Sequence, residues 1–556
     1  MSLSASGSAP VRWADRPLPG LLLAAAAGAL QTLSCVTTAL WPLPLAAAAL
    51  LAWLLAGATP RRAAWLAWAF ACAWYGAATW WLFISLHQYG GLAAPLAVAA
   101  IGLLSAALAI YLALAMAWVA RRHGGAPLRD ASRFAAAWLL AELARGVLFT
   151  GFPWAASGYT QIDGPLALLA PWLGVYALGA WLAWIGAALG FALRAVGDRR
   201  RTAAAPPAMG GIGALAALAG HGPALALALA LLAGPAAWLG LRGTPDFTQA
   251  GSTLRVALLQ SNVAQDEKFA ADRLPEALAW LHGALTGANA DLVIAPETAV
   301  PLLPAQLDEM VPGYWQALRQ HFGRPGGPAA LIGLPLGSYE QGYTNSVIGL
   351  STASADLGTP PEAGYRYDKT HLVPFGEFIP TGFRWFTELM NIPLGDFNRG
   401  PRKPPSFAVG TARVAPNICY EDLFGEELAR RFTDAASAPT MLANVSNIGW
   451  FGNSIALPQH LNISRMRSLE LQRPMLRATN TGATAVIDHR GVVSAALPYF
   501  SRGLLLAEVQ GREGLTPFAR WASAAGLWPL WALALIGLLL PARRRPGRAV
   551  RSLAER

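Results

Sequence analysis

At 556 residues the chain is too long for one hydrophobic core, so at least two folding units are expected. It is 54% hydrophobic and only 13% charged, against about 25% charged in an ordinary soluble domain. Its net charge of +11 does not indicate a nucleic-acid binder, because the arginines cluster in short loops between apolar runs and no aromatic-basic interleaving accompanies them.

The charge deficit is local. It lies in residues 18–240 and 522–541, whereas 250–512 has ordinary charge. A membrane span needs about 20 mostly apolar residues. Seven such runs come first, at 18–36, 40–57, 63–86, 92–120, 132–150, 163–195 and 212–240, and an eighth follows at 522–541. The first resembles a signal peptide, but further spans follow at once and no clear cleavage site is seen.

The loops set the expected orientation. Arg12 and Arg16 precede the first run, and Arg61 and Arg62 follow the second. Arg121, Arg122, Arg129 and Arg133 follow the fourth, Arg199, Arg200 and Arg201 the sixth, and five arginines from Arg543 to Arg551 the eighth. The loops after the first, third and fifth runs carry no Lys or Arg. By the positive-inside rule both termini are cytoplasmic, and seven crossings put 250–512 on the other side. The expected layout is a cytoplasmic N-terminus (1–17), a seven-span domain (18–245), an extracytoplasmic domain (250–512), an eighth helix (522–541) and a basic cytoplasmic tail (542–556). Within the fifth run Glu142 and Arg145 can pair at i, i+3. A structural ion pair is the simpler reading of them, and a functional one the alternative.

From 254 to 508 the pattern changes. LRVALLQSNV, ADLVIAPET, AALIGLPLG, TNSVIGLST, ARVAPNICYED, PTMLANVSN and TAVIDHRGVV read as strands, several of them continuously apolar as strands buried on both faces are. Helical patterns fall at 272–288, 305–321, 424–432 and 458–473. The alternation predicts an α/β sandwich, two sheets covered by helices. Neither a phosphate-binding glycine loop nor a histidine-rich metal signature occurs, so an enzyme without metal or cofactor is the expectation.

Three stretches of this segment carry chemistry. Glu297 follows a strand in LVIAPETAVP, Lys369 lies in YRYDKTHLVPFGEF, and Cys419 follows a strand in PNICYEDLFGE. A base, a cation and a thiol at strand ends can run acyl transfer through a thioester. Cys35 and Cys72 lie in apolar runs and read as buried, inert thiols. Three cysteines so far apart make neither a disulfide framework nor a metal site.

APETAVP, DKTHLVPFGEFIP and ICYED resemble the Glu, Lys and Cys motifs of the nitrilase, or carbon–nitrogen hydrolase, superfamily. GFPWAASGYTQIDGPLALLAPWLG at 151–174, SNIGWFGNSIALPQHLNISRMRSLELQRPMLRATNTG at 446–482 and GLTPFAR at 514–520 are similar to its membrane-spanning branch, the apolipoprotein N-acyltransferases, as is the layout of seven spans, domain and one span. The resemblance implies an αββα sandwich facing the periplasm from the inner membrane. It implies a phospholipid as acyl donor and a diacylglyceryl-cysteine apolipoprotein as acceptor. Glu297 would be the base, Lys369 the oxyanion cation and Cys419 the nucleophile. Glu377 and Glu421 would orient Lys369 or help the proton transfer, and Tyr420 would flank the thiol. Asn447, Trp450 and Phe451 would line the substrate pocket, with Phe269 where the family commonly has Trp. The family usually reads SNDAWFG where this chain has Ile448 and Gly449, so one Asp side chain is lost.

Residues 381–400 crowd apolar side chains into one loop. Phe383, Trp385, Phe386, Leu389 and Met390 are expected to form a lipid-facing lid. The same triad would serve a membrane-tethered amidase or nitrilase that passes its thioester to water. A non-enzymatic transporter or scaffold is the third reading, and the complete Glu-Lys-Cys set argues against it.

Overall fold

The computed structural model describes residues 13–202, 222–243, 245–338, 340–354, 363–382, 384 and 396–539. The lid residues Phe383, Trp385, Phe386, Leu389 and Met390, residues 1–12, the start of the seventh run and the tail 542–556 lie outside these.

The N-terminal part is helical: α1 (Pro17–Gln31), α2 (Pro42–Leu55), α3 (Pro60–Thr79), α4 (Ala94–Arg121), α5 (Pro127–Val147), α6 (Ala170–Thr202) and α7 (Gly222–Arg242). The first five each carry a proline in the first turn, where its missing N–H leaves no helical bond unmade. Small residues let the helices meet closely. A Cβ on Gly28 of α1 would overlap the Phe70 backbone of α3, and one on Gly190 of α6 would overlap Ala49 of α2.

Among the described residues, four helical stretches are long and apolar enough to cross a membrane: Pro17–Val36, Thr38–Leu55, Ala94–Arg121 and Pro165–Asp198. The bent pair Pro517–Ala525 and Trp528–Leu539 makes up to five. The described parts of the remaining three candidate runs are helical but fall short of that standard. α3 opens on Arg61 and Arg62, α5 buries Asp130, Arg133, Glu142 and Arg145, and the apolar stretch in α7 is Ala226–Pro235.

Glu142 and Arg145 do not close a pair with each other. The Glu142 Oε1 accepts the Ser157 N–H (2.8 Å), and the Arg145 Nη1 donates to the carbonyls of Phe152 and Trp154, the latter at 2.8 Å. Both charges therefore shape the 148–157 loop.

Among the described residues, the next part has twelve strands in two sheets. The first sheet holds β1 (Thr248–Gln260), β2 (Leu292–Ile294), β3 (Ala329–Ser338), β4 (Gly342–Leu350) and β5 (Tyr365–Asp368), and the second β6 (Phe407–Val409), β7 (Ala412–Ile418), β8 (Met441–Ser446), β9 (Met475–Thr479), β10 (Ala485–Ile487) and β11 (Val493–Ala496). β12 (Gly503–Gly514) returns to the first. The sheet orders are β12-β1-β2-β3-β4-β5 and β11-β10-β9-β8-β7-β6. In each, three central strands run parallel and the outer ones antiparallel. Val256, Leu258 and Ile294 pack between the sheets against Val414, Ile418 and Val445. Helices α8 (Leu274–Gly287) and α9 (Tyr314–Phe322) cover the outside of the first sheet. Leu471 at the end of α10 (Ala456–Leu471), with α11 (Pro517–Ala525), covers the second. This is the expected αββα sandwich.

The bundle and the sandwich share a core. Tyr420, Leu423, Phe424, Ile448, Leu457 and Ile463 belong to the same buried apolar cluster as Trp74, Trp81 and Trp154.

Sequence reading misses β5, β6, β9 and β12, and it takes the β10–β11 hairpin for one strand. β9 carries the fully buried Arg477, a charge where a strand pattern wants an apolar residue, and β12 is largely half-exposed and ends in polar residues.

Gly333 of β3 sets how closely the turn after β2 can approach. A Cβ there would overlap Pro296 O and lie 2.9 Å from Glu297 Cα. Gly333→Ala is expected to cost about 1–3 kcal/mol, as overpacking does, and to displace the Glu297 turn. A lowered midpoint of thermal unfolding in detergent, together with slowed alkylation or acylation at Cys419, is the check.

Candidate active site

The parallel strands deliver their C-terminal ends to one place, as α/β sites are built. β2 leads into Pro296-Glu297-Thr298, with Thr298 at φ +50°. β7 leads into Cys419 and β8 into Asn447, while β5 delivers Lys369.

Glu297 is buried and fully engaged. Its Oε1 accepts from Asn345 Nδ2 (2.7 Å) and Lys369 Nζ (3.4 Å), and its Oε2 accepts the Asn447 N–H (2.7 Å). Burial disfavours the carboxylate, but Lys369, Asn345, Lys268 and the Asn447 N–H outweigh it and hold Glu297 below the usual carboxylate range.

Lys369 is 1% exposed and sits between two carboxylates, at 2.8 Å from Glu377 Oε1 and 3.4 Å from Glu297 Oε1. Burial works against the ammonium, yet Glu377 and Glu297 raise it above the ordinary lysine value, so it stays charged. Asn345 completes the frame. Its two amide hydrogens go to Glu297 Oε1 and Glu377 Oε1, each at 2.7 Å. The Glu377 Oε2 accepts the Val373 N–H at 2.8 Å.

Cys419 is half-buried at the tip of β7, in the left-handed region at φ +51°. Burial, with the Glu297 carboxylate, pushes its thiol up to about 12, against the pull of Lys369 and a hydrogen bond with Ser446. At rest Cys419 is a thiol with a carboxylate and an ammonium at hand.

Glu421 makes no hydrogen bond or ion pair with the thiol or with Lys369. It ties their two loops together, since one oxygen accepts the Thr370 (2.6 Å) and His371 (3.1 Å) N–H groups and the other accepts Ile418 N–H (2.7 Å) and the Tyr367 hydroxyl (2.5 Å). Tyr420 reaches the bundle, its hydroxyl donating to Gly151 O at 3.1 Å.

The other sequence-derived residues are placed as follows. Asn447 holds Glu297 through its N–H and Gln265 through its side chain (2.9 Å). Phe451 packs on Trp81 (ring centroids 4.2 Å apart) and Trp154, within the shared core. Trp450 is partly exposed and stands edge-on to Tyr89 of the bundle, and its carbonyl accepts from Ser85 Oγ at 2.7 Å. Phe269 is exposed.

Sequence reading missed Asn345 and Lys268. Asn345 is a polar residue inside an apolar strand, a signal that only its neighbours explain. Lys268 is buried and donates to Glu297 O at 3.2 Å. Burial pulls its ammonium down to about 8 despite Glu297 and Cys419 nearby. Its position directly before Phe269 was the available clue.

A base, a cation and a thiol so arranged can form and break a thioester. The site also lies against the helical bundle. His371 Nε2 is 3.0 Å from Thr150 O, Tyr159 Oη donates to Leu423 O (3.2 Å), and Val175 N–H donates to Glu470 Oε1 (2.6 Å).

Two family models match the chain, the apolipoprotein N-acyltransferase N-terminal domain over residues 27–188 and carbon–nitrogen hydrolase over 255–517. The apolipoprotein N-acyltransferase of Verminephrobacter eiseniae (strain EF01-2) is 51% identical over 504 residues, covering 88% of this chain and 89% of that one. That of Ralstonia nicotianae (strain ATCC BAA-1114 / GMI1000) is 44% identical over 533 residues, covering 95% and 94%. That of Bordetella bronchiseptica (strain ATCC BAA-588 / NCTC 13252 / RB50) is 41% identical over 519 residues, covering 88% and 89%. The likeness runs through helices and sandwich alike, and the chain belongs to the apolipoprotein N-acyltransferase family.

Proposed function

We propose that this enzyme moves a fatty acyl chain from a membrane phospholipid to the α-amine of a diacylglyceryl-cysteine apolipoprotein by a two-step thioester exchange. The observation that carries the reading is the seat of the thiol. The turn after Cys419 is held by the bundle through Tyr420 and Gly151, which supports a thiol seated against the helices that would lie in lipid. A soluble amide would have no use for that seat, which weighs against a hydrolase of small amides.

In the first step the Cys419 sulfur attacks the ester carbonyl while Glu297 takes the thiol proton. Lys369 and the N–H of Tyr420 receive the tetrahedral oxyanion. Collapse breaks the ester C–O bond, Glu297 returns the proton to the departing alkoxide, and lysophospholipid leaves. In the second step the α-amine attacks the thioester, Glu297 accepts an amine proton, and the C–S bond breaks to give the amide. The proton then returns to sulfur. Glu377 positions Lys369, Glu421 holds the two loops together, Trp450 and Phe269 contribute to the lipid-facing surroundings, and Phe451 backs the site from the shared core. In this reading residues 250–512 face the periplasm from the inner membrane.

Purified enzyme given phospholipid is expected to carry an acyl mass on Cys419. Cys419→Ala should carry none and transfer nothing, and transfer by that variant would refute the scheme. The raised thiol pKa gives a second check. Below about 12 the thiolate fraction rises tenfold per pH unit, so alkylation of Cys419 by iodoacetamide should climb without a plateau up to pH 10. A plateau near neutrality would mean a resting thiolate. A reporter fused at Gly251 should be active in the periplasm, and cytoplasmic activity would reverse the orientation.

A further inference from the structure

Cys419 adopts its left-handed backbone only because something holds it, since a non-glycine residue there persists where its surroundings impose it. The holding groups grip its carbonyl. His460 Nε2 is 3.2 Å from Cys419 O, and Asn444 Nδ2 donates to the same oxygen at 3.2 Å. Neither residue belongs to the reacting set.

His460, on α10, is 1% exposed, and its partners fix its tautomer. Arg477 Nη2 lies 3.0 Å from His460 Nδ1, and a guanidinium can only donate, so Nδ1 accepts. The proton is therefore on Nε2, which faces Cys419 O and Asp422 Oδ1 (3.0 Å). Asp422 is in turn held by Ser464 Oγ and by Arg477 Nη1 at 3.4 Å. The ring face is fixed from the bundle side. Trp154 stacks on it with centroids 5.7 Å apart and planes 19° from parallel. Gln459, next to His460, accepts the indole N–H groups of Trp154 (2.7 Å) and Trp81 (3.2 Å).

We propose that His460 is a positioning residue, which together with Asn444 clamps the Cys419 carbonyl and thereby aims the thiol and the following N–H at the acyl carbonyl. The peptide between Cys419 and Tyr420 is one rigid plane, so fixing its C=O fixes its N–H. The clamp spans the two parts of the molecule: its imidazole belongs to the sandwich and its backing, Trp154 and Trp81, to the bundle. This deepens the acyl-transfer reading and rests on it.

The test uses full-length enzyme in mixed micelles of phosphatidylethanolamine and phosphatidylglycerol, with His460→Leu and His460→Gln. A glutamine can place its amide N–H near the position of Nε2. Two rates are measured on each protein, acylation of Cys419 by mass spectrometry and alkylation of Cys419 by iodoacetamide, which needs no oxyanion donor. His460→Leu should acylate between about 10-fold and 100-fold more slowly, approaching the loss seen on removing one oxyanion donor, with the phospholipid KM little changed. Its alkylation should stay within about threefold of the parent rate, on the same ground. His460→Gln should recover most of the acylation rate. Unchanged acylation in His460→Leu would overturn the proposal. So would a parallel fall of alkylation and acylation in both variants, because the residue would then be structural only. Absence of any acyl adduct on the parent enzyme would instead defeat the thioester scheme, a separable outcome.

Discussion

The site depends on one buried ammonium between two buried carboxylates. Lys369 lies 2.8 Å from Glu377 and 3.4 Å from Glu297 with almost no exposure. Such groups are costly to bury unless every lone pair and proton is met. Here the remaining acceptor sites are met by Asn345, the Asn447 N–H and the Val373 N–H. Lys369 and its two carboxylates carry a net charge of −1 with the Cys419 thiol neutral, before the nearby Lys268 is counted. Moving the thiol proton to Glu297 leaves that total unchanged. The negative charge shifts from carboxylate to sulfur, still beside Lys369, so the transfer needs no ion from solvent. A thiol that resists ionising at rest fits the proposed scheme, in which the base beside it takes the proton.

That cluster is drawn from three places that must stay in register. Glu297 comes from the first sheet, Asn447 and Cys419 from the second, and Lys369 from the loop that Glu421 ties to the turn after Cys419. The bundle supplies a fourth support. Glu142 and Arg145 give up a mutual pair to bind the 152–157 backbone, and the adjacent Thr150 and Gly151 carbonyls meet His371 and Tyr420. Charged residues buried in α5 thus set the shape of a loop that touches the turn after Cys419.

This explains which parts were legible in the sequence. Glu297 and Cys419 stand out because each follows a strand in a distinctive motif, Lys369 stands out by its motif alone, and the helical and sandwich parts separate by charge density. Asn345, Lys268, His460 and Arg477 do not stand out. Asn345, His460 and Arg477 are polar residues within buried elements, where pattern reading expects packing, Lys268 is a buried lysine in an otherwise exposed turn, and the meaning of each lies in partners far away in sequence. The Glu142–Arg145 spacing invited a local pair, whereas the loop beyond α5 offered both better partners. Ile448, which replaces the Asp common in the family, is likewise explained by contacts. It is 1% exposed and packs in the shared core, where a Cβ on Gly482 would strike its Cγ2.

The shared core constrains how two bulky substrates can be served. Phe451 packs on Trp81, Trp81 packs on Trp154, and His460 lies against Trp154, so separating bundle from sandwich would strip aromatic contacts from the support of the Cys419 turn. Opening that seam to bind donor and acceptor together would loosen the Cys419 turn at the moment it must be rigid. A thioester avoids the conflict. The acyl chain can be kept on sulfur while one lipid leaves and the next arrives by the same route, with the seam closed throughout. Within the proposed scheme, the covalent intermediate follows from packing as much as from chemistry.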